Sequence, residues 1–158
     1  MMNIDIIAVG KIKEKYFTQA VEEYQKRLSR FVKFTITEIQ DEKIPDNASE
    51  KQELQILERE GDKILSKIKD GFVVAMCVEG VQKESTEIAE FLEKTALSNS
   101  RITFIIGGSL GLSEGVKKRA GLKLSFGKVT LPHQLMRVVL TEQIYRGFKI
   151  INNETYHK

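Results

Sequence analysis

Apolar positions along this chain switch between two periods. Ile4, Ile6, Ile7, Ala8 and Val9 make a near-continuous apolar run, the pattern of a strand covered on both faces, as in parallel sheets. Gly10 ends it. From Phe17 through Ala20, Val21, Tyr24 and Leu28 to Phe31 the spacing becomes three and four, which predicts a helix. Val32 to Ile39 then sets Val32, Phe34 and Ile36 against Lys33, Thr35 and Thr37. That period of two predicts the most solvated strand, at a sheet edge.

The polar stretch after it, which holds Pro45, reads as a mobile surface loop. Ser49 with Gln52 forms a capping box for a helix running to Lys69, with Leu54, Leu57, Ile64, Leu65 and Ile68 turned inward and Gly71 ending it. Phe72 to Val78 is a second buried strand, left by a turn at Glu79-Gly80. A helix from Ser85 or Thr86 carries Ile88, Phe91, Leu92 and Ala96 on one side and closes at Asn99-Ser100. The strand Ile102 to Ile106 runs into a glycine loop. Ser113 caps a short helix that Gly121 stops, and Lys123 to Phe126 is a last strand. From Pro132 to about Ile151 a long helix sets Met136, Val139, Leu140, Ile144, Phe148 and Ile151 in one stripe, with His133, Arg137, Glu142, Arg146 and Lys149 on other faces. Alternating strands and helices without repeat or linker predict an α/β sandwich with a mostly parallel sheet and helices on both faces, a single domain over residues 1–158.

The totals narrow the class. With 158 residues, a chain buries about 68–70% of the surface its unfolded form exposes and needs no staple. The single cysteine, Cys77, sits in the run FVVAMCV, so an internal disulfide is impossible and a packed core thiol in a reducing cytoplasm is the plain reading. No apolar stretch approaches the roughly 20 residues of a membrane span, and MMNIDIIAVG lacks the marks of a signal peptide. The formal charge of +3 is weak grounds for a nucleic-acid partner. Lys11, Lys13 and Lys15 are clustered; they grip phosphates or solvate a helix start.

Three loops leave consecutive apolar strands, at Met76 to Gly80, Gly107 to Gly111 and Phe126 to Leu131. In an open α/β sheet that is where ligands bind. GGSLGL has no Gly-Lys-Ser/Thr ending and lacks the dinucleotide spacing, so a triphosphate or dinucleotide is a poor fit. Backbone groups and apolar walls suit an adenosine better. His133 and His157 are the only histidines, Cys clusters are absent and GxSxG does not occur, so neither a metal nor a serine nucleophile is expected.

GGSLGL, followed by LSFGKVTLPHQLMRVVLTEQIYRGFKI and a terminal YHK, resembles the RlmH family of SPOUT-class methyltransferases over the whole chain. The resemblance implies a C-terminal trefoil knot, a homodimer, and an S-adenosylmethionine-dependent transfer of methyl to N3 of a pseudouridine in 23S ribosomal RNA. It places cofactor contacts on Met76, Gly107, Phe126, Gly127, Lys128, Val129, Thr130 and Leu131. The chain departs from the family pattern at Met76, Gly127, Val129, Gly147 and Thr155; Gly147 costs a helix about 1 kcal/mol in propensity, and Thr155 loosens the tail.

For the chemistry, His133, or Tyr156 and His157 reaching across from a partner subunit, are expected to orient the base and help remove its N3 proton. Arg137 and Arg146 are expected to hold RNA phosphates or uracil carbonyls. The plain alternatives are that His133 only caps a helix and that Arg146 only pairs with Glu142 one turn back. The dimer and the lysines at 11, 13, 15, 117 and 118 supply the footing on RNA. Two rival functions stand: a methyltransferase of the same class acting on another RNA such as tRNA, and a non-catalytic nucleotide- or RNA-binding module.

Overall fold

The computed structural model describes residues 1–157. Five strands, β1 (Asn3–Val9), β2 (Lys33–Ile39), β3 (Phe72–Gln82), β4 (Arg101–Ile106) and β5 (Leu122–Ser125), alternate with helices α1 (Lys15–Leu28), α2 (Glu50–Lys67), α3 (Ser85–Ala96), α4 (Glu114–Arg119) and α5 (His133–Ile151). The sheet order is β2-β1-β4-β3-β5, and every neighbouring pair is parallel. Because strand side chains alternate faces, β1 sends Ile4, Ile6 and Ala8 to one core with Leu28, Leu92, Phe104, Leu140 and Ile144. Ile7 and Val9 go to the other, with Ile64, Val73, Ile105 and Val116. Helices α1, α3 and α5 therefore cover one face, and α2 and α4 the other. The near-continuous apolar runs follow from this double burial. As its alternation predicts, β2 is an edge strand and the most exposed of the five.

Local chemistry sets several boundaries. Ser49 and Gln52 form the expected capping box on α2, and the Ser113 hydroxyl accepts from the Val116 N–H at the start of α4. Asn99 closes α3 by donating its side-chain amide to the Thr95 carbonyl, 3.2 Å.

Other expectations are corrected. Along α2, Ile64 is buried and Leu65 and Ile68 pack on the core as expected, but Ile56, Glu60 and Gly61 are buried too and Leu54 is 53% exposed; a stripe that admits a carboxylate and a glycine does not show in hydropathy. Helix α2 stops at Lys67, and Gly71 (φ +138°) belongs to the approach to β3, where a Cβ would lie 2.4 Å from the Arg101 carbonyl oxygen. The turn expected at Glu79-Gly80 is a bulge inside a longer β3: Met76 and Val81 both pair with Leu124, and the residues between leave the ladder. Cys77, expected in the core, is half-buried on that bulge. Gly147 is buried where α5 crosses α3; a Cβ would come within 2.7 Å of Leu92 Cδ1, so a poor helix former sits where the helices approach closely.

Candidate cofactor site and its surroundings

A cavity of about 660 Å³ opens at the carboxyl ends of β4, β3 and β5, the size of a site for a cofactor-sized molecule. Its walls come from the three loops singled out by the sequence together with Pro132, His133 and Met136 at the start of α5. Gly107 follows β4 directly, and a Cβ there would lie 2.4 Å from the Gly111 carbonyl oxygen. The loop folds onto itself: the Gly111 N–H donates to the Gly108 carbonyl at 3.1 Å. Only a residue without a side chain fits that approach. Across the cavity, Gly127 has φ +125°, and Ser125 Oγ both accepts from its N–H and donates to its carbonyl, each at 3.1 Å.

The β3 bulge makes the third wall. It brings Cys77, Val78 and Glu79 to the cavity, and Gly80 passes so close to β5 that a Cβ would lie 2.6 Å from the Lys123 carbonyl carbon. Lys117 on α4 donates to Glu79 at 2.5 Å and holds that carboxyl below its usual range. Burial, with Glu79 beside it, pushes the Cys77 thiol up. Its neutral form is favoured, which makes it a wall group, not a nucleophile.

Of the expected cofactor residues, Met76, Gly107, Phe126, Gly127, Val129, Thr130 and Leu131 line the cavity, and Lys128 does not. The Met76 to Gly80 loop supplies Cys77, Val78 and Glu79 to the wall, as its place after β3 implied; sequence reading missed Lys117 and Met136, which reach the cavity from α4 and α5 and carry no local signal of it.

His133 lies at the junction of this cavity and the end of β1. Its Nδ1 is buried without a hydrogen-bond partner, and a Cβ placed on Gly10 would be 3.0 Å from its Cε1. Burial, then the Arg137 charge, holds the imidazole below its ordinary pKa; it is neutral at physiological pH. The structure does not make His133 a capping side chain: Pro132 is the N-cap residue, and no side chain bonds there.

Arg137 is corrected outright. The sequence sets it off the apolar stripe, as a holder of RNA phosphates or uracil carbonyls, yet it is 2% exposed. It donates to Glu38 Oε2 at 2.7 Å and to the Gly10 carbonyl at 3.1 Å. Arg146 pairs with Glu142 one turn back, at 3.0 Å and 3.2 Å from Nε and 3.0 Å from the second terminal nitrogen. The tail closes over it: the Arg146 guanidinium lies 4.7 Å from the Tyr156 ring centre and reaches His157 Nδ1 at 3.2 Å. Tyr156 packs edge-on against Tyr145. Burial and Glu142 push the Tyr156 phenol up to about 12. Thr155 therefore does not leave the tail loose. Within one chain, however, these groups do not meet His133, because thirteen residues of helix separate Arg146 from it, roughly 20 Å at 1.5 Å per residue.

Comparison with known proteins agrees with this geometry. Residues 2–157 match the family model described as "Predicted SPOUT methyltransferase". A Clostridium perfringens protein named ribosomal RNA large subunit methyltransferase H 1 is 58% identical over 99% of this chain and 100% of its own length. The tRNA (m1G37) methyltransferase of Aquifex aeolicus has the same fold, with a TM-score of 0.55 at 16% identity over 92% of this chain and 69% of that one. A Legionella pneumophila protein solved with the bound cofactor SAM superposes with a TM-score of 0.51 at 15% identity, over 93% of this chain and 66% of that one.

Proposed function

The chain belongs to the SPOUT methyltransferase family, and we propose that it moves a methyl group from S-adenosylmethionine to N3 of a pseudouridine in large-subunit ribosomal RNA. The observation that carries the reading is the cavity at the ends of β4, β3 and β5, with walls of glycine backbone and apolar side chains. Those walls fit an adenosine moiety, which needs backbone hydrogen bonds and apolar contact, and suit a phosphate chain poorly. Met76, Gly107 and the loop from Phe126 to Leu131 are the residues that would hold the cofactor, with Lys128 contributing through its place in the loop, not through the wall. When bound, S-adenosylmethionine supplies an electrophilic methyl carbon on a sulfonium. Methyl transfer to the ring nitrogen leaves S-adenosylhomocysteine, and the N3 proton must go to a base.

The chain's own groups divide that work. His133 is neutral and lies at the cavity, so it is assigned the N3 proton. Tyr156, held as a phenol, donates to Glu142 Oε2 at 3.4 Å; it serves to orient a base and not to deprotonate one. Arg146 and His157 stand with it. Since these groups lie far along α5 from His133 in the same chain, a second copy is needed to bring them to the cavity. A partly buried apolar face of α5, with Leu135, Val138 and Val139, is the assigned seam of that homodimer. Exposed Lys11, Lys13, Lys15 and Lys118 give the pair its footing on RNA, and its charge doubles to +6; Lys117 is engaged by Glu79. The work needs no metal, and an rRNA substrate places it in the cytoplasm; no helix among the described residues is long and apolar enough to cross a membrane.

Single-turnover methylation of ribosomes by His133→Ala and Tyr156→Phe, with the cofactor saturating, tests the assignments. His133→Ala is expected to lose at least about a hundredfold, the usual share of a general base, and Tyr156→Phe less. Full activity in both removes them from the mechanism. A methylated tRNA in place of rRNA would put the chain with the other reading of its class.

A further inference from the structure

A charged side chain in the first turns of a buried helix face is expensive. Apolar residues of similar volume in place of both Arg137 and its partner Glu38 would be about as stable or more so, because desolvating an ion pair offsets most of its attraction. Nε of Arg137 is moreover buried with no partner. What the arginine secures is geometry. Glu38 Oε2, at the end of β2, accepts both from Arg137 and from the Ile12 N–H at 3.3 Å. Arg137 also holds the Gly10 carbonyl, and Gln134 Oε1 on α5 accepts from the Lys13 N–H at 3.1 Å. Three hydrogen bonds from two elements thus converge on the four residues 10–13, and the Arg137–Glu38 pair ties two of them together. That turn is the surface against which the His133 ring rests, with Gly10 at φ +95°. A side chain on Gly10 would push the ring away.

We propose that Arg137 and Glu38 form a positioning pair that clamps the Gly10–Lys13 turn against His133 and so sets the imidazole at the cavity mouth. The proposal rests on the assignment of His133 to the target base. Neither residue touches the reacting atoms; both act through the turn. The same turn carries Lys11 and Lys13 at the surface, so the clamp also fixes where the RNA footing stands relative to the ring.

The groups facing the imidazole are Arg137 on α5, Lys13 on the turn and Asp41 after β2. The test uses the full chain with Glu38→Gln, Arg137→Met and Arg137→Lys. Glu38 is 39% exposed at its side chain, so its replacement keeps the fold even if Arg137→Met does not. Four readouts are taken: amide exchange at Ile12 and Lys13, titration of the His133 ring by NMR (His157 is the only other histidine), calorimetric binding of S-adenosylmethionine, and single-turnover methylation of ribosomes. Glu38→Gln and Arg137→Met are expected to speed exchange at Ile12 and slow methylation, each about tenfold, as misplacement of a reacting group does. Cofactor affinity should stay within about twofold, since neither residue lines the cavity. Removing the Arg137 charge should move the His133 titration up, and Arg137→Lys should restore it and part of the rate. Unchanged exchange and rate in Glu38→Gln overturn the proposal, as does cofactor affinity falling in step with the rate. Fast exchange in Glu38→Gln beside full methylation by His133→Ala supports the clamp and overturns only the role given to His133.

Discussion

At Gly107 the missing side chain is the condition for the site. Gly107→Ala puts a methyl group 2.4 Å from the Gly111 carbonyl oxygen, and the loop must open to admit it. Affinity for S-adenosylmethionine is expected to fall at least about tenfold, or about 1.4 kcal/mol, while the sheet keeps its circular dichroism; calorimetry on the folded variant decides it. His133 makes a second prediction at this scale. Its pKa is lowered in the folded chain by burial and by Arg137, so the unfolded chain binds the proton more readily. Its contribution to stability is therefore fully present above the ordinary histidine pKa of about 6.5 and is lost as pH falls through the lower folded value. Denaturant midpoints measured from pH 8 down to 5 should drop more steeply in the wild type than in His133→Gln. Methylation should likewise be flat near neutrality and fall only on the acid side.

Elements show where a sequence is readable and where it is not. Buried strands stood out because parallel β1 and β4 are apolar on both faces, and β2 because an edge strand alternates. The three loops were legible as the places where those runs end. The inward face of α2 was not, since Glu60 and Gly61 occupy it for tertiary reasons: a Cβ on Gly61 would sit 2.3 Å from Ser113 Oγ. Ile56→Ala is accordingly expected to cost about 2–5 kcal/mol and Leu54→Ala less than about 0.5 kcal/mol, by chemical denaturation; equal costs would restore the hydropathy reading. The bulge in β3 escaped for a similar reason, because its cause lies in the passage of Gly80 against Lys123 on another strand. Gly80→Ala should weaken the β3–β5 seam and the cavity wall together. Arg137 was legible as an unusual residue but not as a buried one. Its partners, Glu38 and the Gly10 carbonyl, lie about a hundred residues away or more, beyond any local pattern.

On the scale of the whole molecule, α5 ties the account together. Its first turn borders the cavity, its middle packs on α1 and α3, with Phe31 stacked on Phe148 at 6.1 Å, and its end carries the tail cluster around Arg146. Glu154 locks that end by accepting from Lys149 at 2.5 Å and from Arg30 at 2.8 Å. Under the proposed function, the cavity and the tail cluster at opposite ends of this helix are the two halves of a composite site. Mixed dimers of His133→Ala and Tyr156→Phe chains are expected to methylate faster than the two homodimers averaged, because one of the two composite sites is then intact. Additive, unrecovered losses would place both groups in the same chain's site. The central claim is tested most directly by incubating the purified protein with S-adenosylmethionine carrying a labelled methyl group and ribosomes lacking the modification, then analysing the rRNA nucleosides by mass spectrometry. The account predicts label on N3 of a pseudouridine from the large subunit; label on another nucleoside, or none with the cofactor bound, would contradict it.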